Sequence, residues 1–327
     1  MIKKTIEDKE LLEHLGRIHK DEMTMFVMAG GRFRGAFFNG TQLVNQMRAQ
    51  HNLGILETLI LGQAMLCAAL LIPTMKGREH LTFRYDTNGP AAGFSVEADS
   101  TGYVRGFLLQ DKIPIEKPLE NWDLSPFLGD GTLTLSRIGE GMKEPQTGTV
   151  EIMYKNIAKD LAWYFAQSEQ IHTAFNTSIQ FDEKGRVIGA GGMFLQKMPD
   201  CGGNICKTVT GSENIGLDFD AMDDEELTER IEHAFSSCPS LGQWYSEGGN
   251  NDDIIYGLFR DFRPSVAVVR DIKFSCDCSK EKFIQHIRNL SEAELTDIKK
   301  NGPNPLNIVC HNCGSTYSID ISELGNN

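Results

Sequence analysis

Residues 274–283 read FSCDCSKEKF, and residues 308–320 read IVCHNCGSTYSID. Between Cys278 and Cys310 stand 31 residues. Two tight cysteine pairs at this separation can aim four thiolates at one tetrahedral zinc ion. The second pair, Cys310-His311-Asn312-Cys313, is followed by Gly314, which can take the positive φ that closes such a turn. The first pair, Cys276-Asp277-Cys278, has a single intervening residue. A disulfide across it would close a very small ring with little torsional freedom, and strained disulfides are readily reduced again. Zinc keeps its sulfurs as thiolates, the form that oxidants attack. The residues alone therefore leave two readings open, a permanent zinc staple and a reversible redox site.

The surrounding segment is self-consistent as a small module. VAVVRDIKF (266–274) reads as a strand entering the first pair. Ser279 can cap a helix over KEKFIQHIRNL, whose Phe283, Ile284, Ile287 and Leu290 keep helical spacing. Ser291 and Glu294 form a capping-box pattern for EAELTDIKK, and Asn301-Gly302-Pro303 stops that helix. The chain then returns as a hairpin with the second cysteine pair in its turn. About sixty residues give too little core for independent stability, so a metal staple has a physical role here. In so small a unit the metal-binding free energy is folding free energy, roughly 10–16 kcal/mol that vanishes with the metal.

Ahead of this module lies an acidic stretch, LDFDAMDDEELTERIEHAF, in which Asp218, Asp220, Asp223, Asp224, Glu225, Glu226, Glu229 and Glu232 crowd one helical candidate. Such density predicts a solvated, weakly stabilised helix. Gly248-Gly249-Asn250-Asn251 follows, then a helical IIYGLFRDF. This region reads as a linker rather than as a second core. The first 200 residues mix strands, hairpins and helices, with Thr41 as a cap for TQLVNQMRAQ and a hairpin through Glu183-Lys184-Gly185. The expected fold class is α+β: an N-terminal domain over residues 1–200, a linker over 201–264 and a zinc-binding domain over 265–327.

Composition narrows the function. A formal net charge of −13 leaves no positive surplus to neutralise phosphates, which argues against nucleic acid as partner. The N-terminus lacks the apolar run of a signal peptide. The apolar stretch 55–75 is interrupted by Glu57, Gln63 and Pro73, and reads as a buried core helix rather than a membrane span. A cytoplasmic location, where the eight cysteines stay reduced, is the expectation. Cys67 reads as a core residue; Cys201, Cys206 and Cys238 read as incidental thiols of the linker. His311 lies between ligands, but four cysteines already complete a tetrahedron. The glycines of GAGGM (189–193) fit close strand packing better than a phosphate loop, and no catalytic apparatus is visible.

Taken together, FSCDCSKEKF, LSEAEL (290–295) and IVCHNCGSTYSID resemble the C-terminal zinc module of the redox-regulated heat-shock protein 33 family. GRFRGAF (31–37), DTNGP (86–90), GYVRGF (102–107), YFAQSEQI (164–171) and GAGGMFLQKMP (189–199) extend the resemblance over nearly the whole chain. It implies an ATP-independent holdase chaperone, not an enzyme, that binds one Zn2+ through Cys276, Cys278, Cys310 and Cys313 and is inactive when reduced. On oxidation, the resemblance implies, Cys276 pairs with Cys278 and Cys310 with Cys313. Zinc leaves, the linker unfolds, and apolar surface binds unfolding client proteins, with an oxidation-linked homodimer and no nucleic acid or membrane as partner. The segment 201–217 reads as an insertion relative to that family. The competing readings are a zinc-ribbon adaptor and a thiol oxidoreductase using the C-x-C pair.

Overall fold

The computed structural model describes residues 1–115, 121–199 and 222–325. The chain opens with α1 (Lys9–Arg17), β1 (Glu22–Met28), β2 (Phe33–Asn39), α2 (Thr41–His51) and α3 (Ile55–Leu71). Next come β3 (Glu79–Thr87), β4 (Gly93–Asp99), β5 (Tyr103–Leu108), the single turn α4 (Ser125–Leu128), β6 (Gly131–Gly139) and β7 (Gln146–Glu151). α5 (Ile157–Tyr164) leads to the hairpin of β8 (Thr173–Phe181) and β9 (Val187–Lys197). Three helices follow, α6 (Asp224–Ser236), α7 (Leu241–Ser246) and α8 (Asn251–Phe259). The C-terminal part holds β10 (Ser265–Arg270), β11 (Lys273–Phe274), α9 (Lys280–Arg288), α10 (Glu292–Asn301), β12 (Leu306–Val309) and β13 (Thr316–Ile319). The class is α+β, as expected.

Two sheets sandwich α3. One has the order β10-β1-β2-β9-β8 and the other β11-β5-β4-β3-β6-β7. All their pairings are antiparallel except β11 beside β5. A helix that is apolar all round must be buried all round. α3 is long and apolar enough to span a membrane by length and composition, but 83% of that stretch is buried. Its leucines, alanines, Met65 and Cys67 pack against Phe83, Tyr85, Phe94 and Val96 of the six-stranded sheet and against Ala36, Phe38 and Phe194 of the five-stranded one.

The helix expected to be capped by Thr41 is capped differently. Gly40 holds the cap position and Thr41 is the first helical residue. Asp21, distant in sequence, accepts hydrogen bonds from the Gln42 and Leu43 amides at 2.8 and 2.7 Å. The Thr41 hydroxyl is instead committed to Asn39 and to the Ala190 amide.

Strand alternation makes the five-stranded sheet apolar on both faces. The face away from α3 carries Phe26, Met28, Phe33, Phe37, Met193 and Leu195. Upon it lie α6 to α8, through Leu227, Ile231, Leu241, Tyr245, Ile254, Ile255 and Phe259. The helices at 224–259, read from the sequence as a linker rather than a second core, thus share an apolar core with the sheet. α6 is acidic on its outer side, but its two buried residues, four apart, are enough to seat it. The glycines of GAGGM permit close packing: a Cβ at Gly189 would strike the Gly242 carbonyl, and one at Gly191 the Tyr245 ring. Asn251 is 4% exposed; its amide donates to Glu22 O at 3.1 Å and Thr24 Oγ1 at 3.0 Å, while its oxygen accepts from Tyr245 Oη at 2.7 Å.

The strand expected to enter the first cysteine pair is two strands. β10 pairs with β1, Met23 facing Arg270, and β11 pairs with β5, Phe274 beside Val104. The segment before Cys276 is thus stitched into both sheets. Beyond it, α9, α10 and the β12–β13 hairpin enclose a small core of Ile287, Leu295, Ile319 and Leu324. The predicted capping box of Ser291 and Glu294 is present.

Candidate metal centre

Two loops bring the cysteines together. β11 ends at Phe274, the Ser275 amide donates to Val104 O at 3.1 Å, and Cys276 and Cys278 follow before Ser279 caps α9. The other loop leaves β12 at Cys310. There the Gly314 amide donates to Cys310 O at 2.7 Å and the Cys310 amide to Ser315 O at 2.9 Å, with Gly314 at φ +63°. Glycine is required there twice over. The left-handed backbone favours it, and a Cβ would stand 2.5 Å from Gln50 O of α2.

The sulfur atoms of Cys276, Cys278, Cys310 and Cys313 all lie within 4.8 Å of one another. Cys276 and Cys310 are 3.8 Å apart and Cys278 and Cys313 3.4 Å apart. A tetrahedron of zinc–sulfur bonds of about 2.3 Å has edges of about 3.8 Å, so the four atoms stand at the separation such a site needs. None is more than 8% exposed. His311 is not in the cluster; its ring lies 5.6 Å from that of Phe107.

The electrostatics also call for a cation. Hydrogen bonds from Cys310 and Cys313, with Arg105 nearby, hold the Cys276 thiol far below its ordinary range. Cys310 is pushed up in return by its hydrogen bond to Cys276, and Cys313 is pushed up to about 11, also chiefly by Cys276. One thiolate in so tight a group suppresses the next. Four thiolates would be stable together only around a positive centre, such as a bound divalent ion.

Residues that the sequence reading missed complete the surroundings. Arg105 of β5 donates to Cys276 Sγ at 3.5 Å and to Glu97 Oε2 at 2.7 Å, and it pairs with Asp277 between the first two cysteines. Tyr317 Oη lies 3.2 Å from Cys278 Sγ and donates to Cys278 O at 3.0 Å. The Gly106 amide donates to Asn312 O at 3.1 Å. Tyr317 had a faint signal in the hairpin alternation; Arg105, 171 residues from Cys276, had none.

The pattern that matches residues 21–320 is that of the Hsp33 protein family. The chain belongs to the Hsp33 family. Among its relatives, the 33 kDa chaperonin of Geobacter sp. (strain M21) is 28% identical over 305 residues, 93% of this chain and 95% of that one. The 33 kDa chaperonin of Lactococcus lactis subsp. lactis (strain IL1403) is 26% identical over 306 residues, 93% and 98% of the two chains. The crystal structure of the 33 kDa chaperonin (heat shock protein 33 homolog) of Thermotoga maritima superposes with a TM-score of 0.76 at 28% identity, over 94% of this chain and 97% of that one. As an Hsp33 chain it is a chaperone-family protein with a buried four-cysteine cluster able to hold a metal ion.

Of the other thiols, Cys67 is wholly buried in α3 and burial pushes its thiol up. Cys238 packs against the helices that cover the sheet. Cys201 and Cys206 lie outside the described residues.

Proposed function

We propose that this Hsp33 chain is a redox-regulated, ATP-independent holdase, resting while its four cysteines hold zinc and active once they are oxidised. The observation that carries the reading is the position of the cysteine cluster. It staples a module with very little core of its own, joined through β10 to the sheet whose outer apolar face α6 to α8 cover. Cys276, Cys278, Cys310 and Cys313 are the proposed ligands and sensors. Zinc, when bound, would keep all four sulfurs as thiolates and tie the two loops together.

Each pair of thiolates, with one peroxide and two protons, gives one disulfide and two waters. Two peroxides therefore consume the ligand set. We take Cys276–Cys278 and Cys310–Cys313 as the product pairs. The sulfurs lie within 4.8 Å of one another, with contacts of 3.8 and 3.4 Å running between the loops, and a disulfide needs about 2.05 Å, so the loops must rearrange as they oxidise. That rearrangement strains the ties of Arg105, Tyr317 and Asn312, destabilises α9 and α10, and acts through β10 on the sheet that α6 to α8 cover. Phe26, Phe33, Phe37 and Met193 are then free to bind unfolding clients.

On this reading residues 1–200 are the client-binding body, 201–264 the responsive linker and 265–327 the switch. The strands at 265–274 transmit the switch because they are paired with both sheets. The acidic charge suits protein clients rather than nucleic acid, and reduced thiols suit the cytoplasm. An oxidation-linked homodimer belongs to the same proposal, and no catalytic residue does.

The test combines peroxide with mild heat. About one zinc per chain should leave, with disulfides in the stated pairs and suppressed aggregation of a heat-denatured client. If the oxidised, zinc-free protein leaves client aggregation unchanged, the reading is wrong.

A further inference from the structure

Residues 1–4 lie across the cysteine centre, ahead of the residues that the family match covers. Ser315, two residues beyond Cys313 and 2% exposed, holds Ile2 on both sides. The Ile2 amide donates to Ser315 Oγ at 3.0 Å, and Ser315 Oγ donates to Ile2 O at 3.2 Å. The same hydroxyl lies 3.2 Å from Cys313 Sγ. The Met1 nitrogen donates to Cys278 O at 2.7 Å.

Gln50 of α2 locks this arrangement. It is fully buried, and its side chain uses every hydrogen-bonding position that an amide has. Its Nε2 donates to Ile2 O at 3.1 Å and to Cys313 O at 2.9 Å. Its Oε1 accepts from the Lys4 amide and from Gln46 Nε2, the latter at 3.1 Å. Gln46 Nε2 also donates to Lys4 O at 3.0 Å, and Lys4 Nζ donates to the Gln50 carbonyl at 2.6 Å near the end of α2. A single amide thus joins three parts of the chain: the N-terminal residues, α2 of the body, and the turn that carries Cys313.

We infer that residues 1–4, locked by Gln50, form a clasp that holds the cysteine centre on α2 and limits how fast its sulfurs become accessible. The four cysteines are at most 8% exposed, so reaction at their sulfurs is governed by opening of the centre. Opening must break the clasp, and its hydrogen bonds are internal ones that leave partners unsatisfied when lost. That the clasp also sets the oxidant threshold of the switch rests on the function proposed above.

The test uses the full-length, reduced, zinc-loaded chain and measures, cysteine by cysteine, the rate of alkylation by iodoacetamide in the presence of a chelator. Three variants are compared with the parent: one lacking residues 2–5, Gln50→Glu, and Lys9→Ala as an exposed control on α1. Gln50→Glu keeps the shape but loses both donated bonds. The expected result for the first two is alkylation at Cys276, Cys278, Cys310 and Cys313 about tenfold faster or more, the scale of one buried group left unpaired. Cys67 in α3 should stay unreactive. Rates within twofold of the parent, or a rise in Gln50→Glu alone, overturn the clasp. An equal rise at Cys67 overturns it as a local device, because the whole body has then loosened. If the alkylation result holds while oxidised protein fails to protect a client, the clasp stands and the redox reading falls.

Discussion

Each cysteine of the cluster serves two structures at once, the small module and the body, which is why single substitutions separate their effects. Cys278→Ser removes one sulfur, and with it one of the contacts of the Tyr317 hydroxyl. We expect zinc content to fall to less than half per chain and amide exchange to accelerate across residues 280–319, with the two large sheets unaffected. Most of the roughly 10–16 kcal/mol that such a site supplies to a small domain is at stake. Arg105→Ala should do far less. Asp277, one of its two carboxylate partners, has a side chain 70% exposed, so that pair belongs to the class worth about 0.2–1 kcal/mol. An unfolding free energy, measured by denaturant titration, that falls by more than that would show that Arg105 holds the centre together by other means. Cys238 serves as a natural reporter. Burial pushes its thiol up to about 12, from an ordinary value of 9.0. At pH 8 such a shift cuts its thiolate population about a thousandfold. Alkylation of Cys238 should therefore be slow in the reduced protein and fast after peroxide treatment; equal rates would mean that the helices do not leave the sheet.

At the scale of elements, the decisive contact is α6 to α8 on the outer face of the five-stranded sheet. Its specificity comes from Asn251, which fixes α8 to β1 and to Tyr245 of α7 through buried hydrogen bonds. Asn251→Ala leaves those partners unpaired, at a cost of about 1–3 kcal/mol. Faster amide exchange in α7 and α8, and increased binding of a hydrophobic dye, are expected while zinc stays bound. Dye binding equal to that of the parent would show that apolar contacts alone seat the linker. The acidic run predicted a marginal helix, and the structure shows a packed one. Hydrophobic content in α6 is sparse, but Leu227 and Ile231 fall on the face that meets the sheet. That coincidence is a property of the partner surface, which no local window contains. The hairpins, the helix in 55–71 and the capping box were legible because turn chemistry and apolar periodicity are local.

At the scale of the whole molecule, stability is graded from the centre outward. α3 is wrapped by both sheets, whereas α9 and α10 rest on a core of a few residues and the four-cysteine cluster. Oxidation with mild heat should therefore raise amide exchange in α6 to α10 while α3 stays protected. Loss of protection in α3 at the same rate would mean global unfolding rather than a switch.

The sequence by itself determined the four-cysteine set, the small module around it, the buried helix and the family, because each is written in residues close together or in a pattern of residue types. Tertiary structure alone decided that the segment leading to Cys276 splits into two strands, one in each sheet, that Asp21 rather than Thr41 caps α2, and that Arg105 and Gln50 reach the cysteine loops. Those contacts join segments tens to hundreds of residues apart, and their partners are selected by packing and by the need to satisfy buried polar groups. Neither requirement leaves a periodic trace along the chain.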